Sequence, residues 1–505
     1  MPYLLVSYFS IFAILSYRKI EWAIFVIILA LPSYAVRFSV AGLPMTLLEG
    51  MILILFFVWA YKEITNKENR KLFGILDKIR FPKCPVKWRF KLPIYLFIFF
   101  ATLSVFISPN KQAALGIWKA YFIEPFLFVI VFVNIFQSHS GQRKTETSIL
   151  ANPFLFITTA LSIPALYISF FAIYQKITGF LVPPEYWQAG YHRVTSFFSY
   201  PNAIGLLLAP MVILFLGIVC LSPSSQRRGL GGGVIRCITL RLYFTFVSIL
   251  SILAIFFAQS EGAIIGLAGG LLVFCFLYNK KTRLAVVAIL LLAVVVGGSV
   301  YVKYGKQWDE TFNTTTFFEL DDACDGVFPC KIYQKLTFQD VSGTIRREMW
   351  NETFQMLKQK PIFGAGLAGY QNAMENYHTK DYVEIYLYPH NIILNFWSEI
   401  GLFGLLAFIW MVVMFFYNGT NSLSSPFYKG GQSASACRSS RFEPEAERRD
   451  EGDSSRKQSR IIKITLISSM SVLLIHGLVD VPYFKNDLAI LFWIIFGMML
   501  LIDMH

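Results

Sequence analysis

The sequence predicts an all-α polytopic membrane protein with 12–13 transmembrane helices and one large, partly helical outside loop. Three observations carry that class. Of 505 residues, 55% are hydrophobic and 17% aromatic but only 15% charged, with mean hydropathy +0.54. A soluble chain of this length needs more charge to cover its surface. Apolar stretches close to the ~20 residues that cross a bilayer recur from end to end. The Lys and Arg residues gather in the loops between those stretches, where they read as a topology signal.

Taken in order, the apolar segments fall near 3–16, 22–36, 45–61, 93–108, 119–136, 154–175, 203–221, 243–258, 263–278, 284–302, 391–417, 461–479 and 488–503. The first is short, and the fifth is interrupted by Glu124-Pro125. Arg18-Lys19 and a second apolar run follow the first segment, so no cleavable signal is expected. Residues 62–91 hold ten basic residues against three acids, which places that loop inside. Alternation then puts Arg143-Lys144, Arg227-Arg228 and Lys280-Lys281 inside as well, and 37–44 and 109–118 outside. The formal net charge of +14 is therefore read as topology and contact with anionic lipid, not as affinity for nucleic acid.

The expected organisation is transmembrane helices over 1–302, a large outside loop over 303–390, and transmembrane helices again over 391–505. Within the last part, residues 418–460 are rich in Ser, Arg and Glu without hydrophobic period, and are expected to be a disordered cytoplasmic linker. The outside loop carries Phe317, Phe328, Tyr333, Trp350 and Phe354, enough apolar surface to fold. Glu348 to Lys358 has helical spacing and stops before Pro361, with FGAGLAG as a glycine-rich turn. Cys324 and Cys330 in that loop are either a short disulfide or two free thiols. Cys84, Cys220, Cys237, Cys275 and Cys437 are expected to be free.

His390, in Tyr388-Pro389-His390-Asn391, is the leading candidate for chemistry. Its plainer explanation is a helix cap, with Asn391 as N-cap and Pro389 setting the turn. Below it Asn391, Asn395 and Glu399 recur every four residues, a polar stripe entering an apolar helix. Such groups are costly in a membrane and usually line a functional site. Gly401 and Gly404 form a GxxG whose ordinary reading is close helix packing.

Arg346 and Arg347 come next. Arg pairs phosphate oxygens bidentately, although an exposed pair is ordinarily just solvated. Neighbours on a helix point about 100° apart, so only one can face inward. Arg193 opens RVTSFFSYPNAIG, in which Pro201-Asn202 repeats the turn-and-cap pattern; a headgroup anchor is its alternative role. Asp480, in HGLVDVPYF, can orient an arginine or cap a helix. Glu124 lies in an apolar segment and is expected to be paired internally. Glu319, Asp321, Asp322 and Asp325 are close enough to bind a cation, but read better as solvated charge. There is no GxxxxGK[ST] and no HExxH, which argues against an ATP-driven pump and a zinc protease of that type.

These residues resemble a known family. His390-Asn391, nine residues, then Gly401-Leu-Phe-Gly404 is similar to the H-[NSQ]-x9-GxxG pattern of the bacterial O-antigen ligase and polymerase family. Arg346-x-x-x-Trp350 with PIFGAG, RVTSFFSYPNAIG and HGLVDVPYF resemble its other motifs, so the likeness runs over about 185–490. The resemblance implies a GT-C-like membrane glycosyltransferase that moves a glycan from undecaprenyl diphosphate to an acceptor hydroxyl on the periplasmic face. It implies Arg193 and Arg346 as ligands of the donor diphosphate and His390 as the base; Asn391, Glu399, Arg347 and Asp480 are expected to support them. No cofactor and no metal are expected, in keeping with an outside loop at 37–44 that has no acid. The acceptor is a lipid A-core sugar, another lipid-linked glycan or a protein hydroxyl, which the motif does not separate. A polysaccharide transporter is the competing class, but it would show paired repeats with broken helices near the midplane.

Overall fold

The computed structural model describes residues 2–40, 43–65, 87–140, 152–187, 192–221, 233–324, 326–424 and 445–502. Nine helices among them are long and apolar enough to cross a membrane, and three shorter apolar helices, Tyr3–Arg18, Ile20–Leu29 and Asn486–Ile502, accompany them. Leu47–Thr65 is a further helix of 19 residues that carries three charged side chains. Each of the thirteen apolar segments thus falls largely on helix. In hydrocarbon the backbone must satisfy itself, and the helix does so within one segment.

Local signals set the ends. Asn152 caps Pro153–Thr178 by accepting from Phe154 and Leu155, proline fills the first helical position, and Gly179 ends the helix at φ 68°. Asn279 and Thr282 form a reciprocal capping box at Lys280–Val300. Glu124-Pro125 does not interrupt its segment. The chain passes through one π-helical turn, Lys119–Ile123, and Pro125 sits where the next α-helix begins. The second segment is shorter than expected: its helix ends at Leu29 and continues as 3-10 turns over Leu31–Ala35. One hairpin departs from an all-α description, β1 (Arg37–Val40) against β2 (Leu43–Thr46), antiparallel.

Asn202–Cys220 and Asn486–Ile502 are buried nearly throughout and form the centre. Lys280–Thr314 lies at the other extreme, with almost all its apolar surface on the outside. Beneath the site a cluster of rings packs together. Phe396 lies 4.1 Å from Phe408, 5.2 Å from Tyr483 and 5.0 Å from Phe484 between ring centroids. This fixes the turn after Glu445–His476 against the upper part of Ile392–Ser424.

The GxxG reading is corrected. Gly401 is not a packing glycine but a break in the helix, with φ 75° and ψ 174°. A Cβ there would stand 2.4 Å from the Ile362 carbonyl oxygen, so only glycine fits. The PIFGAG segment fills the break: Leu402 N–H donates to Ile362 O at 2.9 Å, Ala365 N–H to Ser398 O at 2.7 Å, and Trp397 Nε1 to Pro361 O at 2.7 Å.

Residues 303–390 are folded as short helices, among them Phe328–Leu336 and Val341–Gln359. The latter begins seven residues before the expected Glu348, because Asp340 caps it by accepting from Gly343 N–H. Cys324 and Cys330 are bonded, and pack with Phe312 against Trp308 and Tyr333. Cys220 and Cys275 are free. Within the expected linker 418–460, residues up to Ser424 and from Glu445 onwards are helix. Residues 425–444 lie outside the described residues, as do Cys84, Cys437, Asp325, Arg143-Lys144, Arg227-Arg228 and most of the basic loop 62–91.

Candidate active site

Four sequence motifs meet where several helices end. His390 precedes the Ile392–Ser424 helix, Asp480 follows Glu445–His476, Asn202 starts Asn202–Cys220, and Arg346 lies in Val341–Gln359. His390 Nδ1 stands 3.3 Å from Asp480 Oδ1. Asp480 is buried, and Oδ1 also accepts from Val481 N–H at 2.8 Å. Burial opposes its charge, but the His390 hydrogen bond and the nearby imidazoles outweigh that and hold the carboxyl down at about 2. An ionised carboxylate on Nδ1 keeps the proton there and turns the Nε2 lone pair outward. The His390 side chain is 30% exposed.

Asp480 also joins the arginine sites. Asn202 Nδ2 donates to Asp480 Oδ2 at 3.5 Å, while Asn202 Oδ1 accepts from Arg193 Nη2 at 3.0 Å. Asn202 is therefore a bridge, not the helix cap its sequence suggests; the cap position makes no side-chain bond. Arg193 Nε donates to Ala258 O at 3.0 Å, which leaves Nη1 uncommitted among the described residues. Partial burial lowers the pKa of this guanidinium. Arg346 Nε donates to Val479 O at 3.1 Å and Nη1 to Ser342 Oγ at 2.6 Å, leaving Nη2 uncommitted in the same way. One turn on, Trp350 Nε1 donates to Pro389 O at 2.9 Å. The Arg346-x-x-x-Trp350 spacing thus puts two donors on one helix face, one for each side of the His390–Asp480 pair.

The supporting candidates separate. Asn391 does cap its helix, accepting from Ile393 and Leu394 N–H, and its amide donates to Leu478 O. Arg347 turns away and donates to Thr344 Oγ1 at 3.4 Å. Glu399 is fully buried and accepts from Ala368 N–H at 2.7 Å, bracing the glycine-rich segment and making no bond to His390 or the arginines. The polar stripe is thus split: Asn391 is a cap, Glu399 a brace, and Asn395 is buried with neither side-chain polar atom bonded among the described residues. Glu124 accepts from Asn486 Nδ2 at 2.9 Å. His476, not singled out from sequence, lies 4.0 Å from Asp480 Oδ2 and is buried. Its i, i+4 spacing to Asp480 is the signal that could have found it.

Backbone strain gathers here too. His390 has φ 46°, His192 φ 46°, Ser196 φ 51° and Gln259 φ 52°, all left-handed positions unusual for a side-chain-bearing residue. Among the described residues no group of three His, Cys, Asp or Glu is arranged to hold a metal ion.

The fold and this cluster define a multi-pass, all-α membrane protein with ionisable side chains collected at one end of its helices. Residues 246–409 match the family model for O-antigen ligase. The match supports glycan transfer at a membrane by an enzyme of the ligase or polymerase kind, acting on lipid-linked glycans. It includes Arg346 and His390; Arg193, Asn202 and Asp480 lie outside it and join through the contacts above. No curated protein matches the chain.

Proposed function

We propose that this protein transfers a glycan from undecaprenyl diphosphate to an acceptor hydroxyl at the periplasmic face of the bacterial inner membrane, without a metal or other cofactor. The observation that carries the reading is the placement of His390, held by Asp480, beside two guanidiniums that each keep one amino group uncommitted among the described residues. His390 Nε2 takes the proton of the acceptor hydroxyl as its oxygen attacks the anomeric carbon. The bond from that carbon to the diphosphate oxygen breaks, and its electron pair leaves on the lipid diphosphate. Arg193 and Arg346 meet the growing charge, more strongly in the transition state than in the ground state. Asp480 stabilises the imidazolium until its proton passes to water.

The Cys324–Cys330 disulfide supports placing residues 303–390 outside the cytoplasm, where such bonds persist. The acceptor is a lipid A-core sugar for a ligase, a lipid-linked glycan for a polymerase, or a protein hydroxyl for an O-oligosaccharyltransferase. The test is purified protein with polyprenyl-diphosphate glycan and each acceptor, with and without chelator. His390→Ala and Arg346→Ala are expected to abolish transfer while the protein still reaches the membrane. Full activity in either variant removes the site assignment, and loss with chelator removes the metal-free step.

A further inference from the structure

Lys485 takes no part in the chemistry above, yet it stands against the segment that carries Arg193. It closes the turn that carries Asp480. Its side chain is 12% exposed, and Nζ has no hydrogen-bond partner among the described residues. An ammonium has three donors, and burying it without acceptors is costly unless something else meets the charge. Here rings meet it: Nζ lies 4.2 Å from the Phe198 centroid, 5.0 Å from Tyr34 and 5.3 Å from Tyr200. Asp487 Oδ2 is 4.0 Å away. Cation–π attraction of this kind strengthens when the pair is desolvated. Burial still lowers the ammonium's pKa, while Asp487 and Asp480 act to raise it.

Phe198 and Tyr200 belong to the stretch from Arg193 to Asn202, which has no regular secondary structure before its last residue. The first half of that stretch is tied by its backbone. Arg193 N–H donates to Tyr186 O, Val194 N–H to Phe257 O, and Thr195 and Ser196 N–H to Gln175 Oε1. The second half is held by Phe197 stacked on Phe171 at 4.5 Å, by the Phe198 and Tyr200 rings on Lys485, and by Asn202 on Asp480.

We propose that Lys485 is a positioning residue for Arg193: its ammonium clamps Phe198 and Tyr200, and with them the Arg193–Asn202 segment, onto the turn that carries Asp480. The functional half of this proposal rests on the reading of Arg193 as a ligand of the donor diphosphate.

The experiment compares full-length Lys485→Met and Lys485→Arg in lipid nanodiscs by hydrogen exchange and by transfer kinetics. Lys485→Met is expected to speed exchange over residues 193–202 and leave the transmembrane helices protected, with Lys485→Arg close to wild type. Donor KM is expected to rise about tenfold, a tenfold change being about 1.4 kcal/mol, with kcat and acceptor KM within about twofold. In an Arg193→Ala background the same change is expected to add less than about twofold, because the clamp acts through that arginine. Unchanged exchange over 193–202 overturns the clamp whatever Arg193 does. Fast exchange with unchanged donor KM, or full additivity with Arg193→Ala, overturns the positioning role. If Arg193→Ala itself leaves donor KM unchanged, the donor reading fails and the exchange result alone decides the clamp. Should Lys485→Met not reach the membrane, Phe198→Leu removes the nearest ring, keeps the lysine and carries the same expectations.

Discussion

Asp480 holds His390 across ninety residues of chain, Oδ1 to Nδ1 at 3.3 Å, and the same carboxylate reaches Arg193 through Asn202. One buried charge therefore orients His390 and one of the arginines. Asp480→Asn keeps the shape but can present a donor to Nδ1, which favours the wrong tautomer. We expect kcat to fall by roughly 10²- to 10⁴-fold with donor KM changed far less. Transfer within twofold of wild type would show that the pair does not set the base.

The same pair gives a pH signature in stability. The folded value of Asp480, about 2, lies below its ordinary 3.8. Its contribution is thus fully present above about pH 4 and fades as pH falls towards 2. The shift corresponds to roughly 2 kcal/mol. Thermal melts in detergent between about pH 2 and 5 should show wild type losing this increment and Asp480→Asn, which has none to lose, following a flatter curve. Parallel curves for the two proteins would contradict the shift.

Gly401→Ala probes the helix break. The new methyl meets the Ile362 carbonyl oxygen at 2.4 Å in a left-handed backbone position. A loss of about 1–3 kcal/mol is expected, seen as a lower melting temperature. Gly116→Ala, where a Cβ meets nothing within 4 Å, is the matched control and should be near neutral or slightly stabilising. Equal effects from the two would mean that the break is not constrained.

Sidedness is open to direct labelling. Phe328 is 73% exposed in the disulfide-bearing loop. Phe328→Cys should react with a membrane-impermeant maleimide in intact spheroplasts. Labelling that appears only after permeabilisation would place the loop in the cytoplasm and overturn the periplasmic assignment.

Much of the fold was readable in the amino acids because hydrocarbon demands unbroken apolar composition, a signal carried within each segment. The same holds for Asn391 as a cap and for Arg346 with Trp350, where the spacing alone puts two donors on one face. What could not be read was what depends on contacts between distant segments. The link from Asp480 to His390 has no local trace, and Asn202 looks like a cap because its partners lie 9 and 278 residues away. Glu399 belongs to a regular stripe in sequence, yet its acceptor role depends on a loop that folds back beside it. Gly401 misled for a similar reason: GxxG marks a small-residue face on a helix, and only the arrival of Ile362 turns it into a break.

That break has a mechanical consequence. The PIFGAG segment bonds to Ser398 and Trp397 on one side of Gly401 and to Leu402 on the other. It bridges the two halves of the helix as a splint does a fracture. The height of His390 above the lower half is thus set by the length of a different piece of chain. A residue inserted between Ile362 and Ala365 would shift the histidine against its aspartate without touching either.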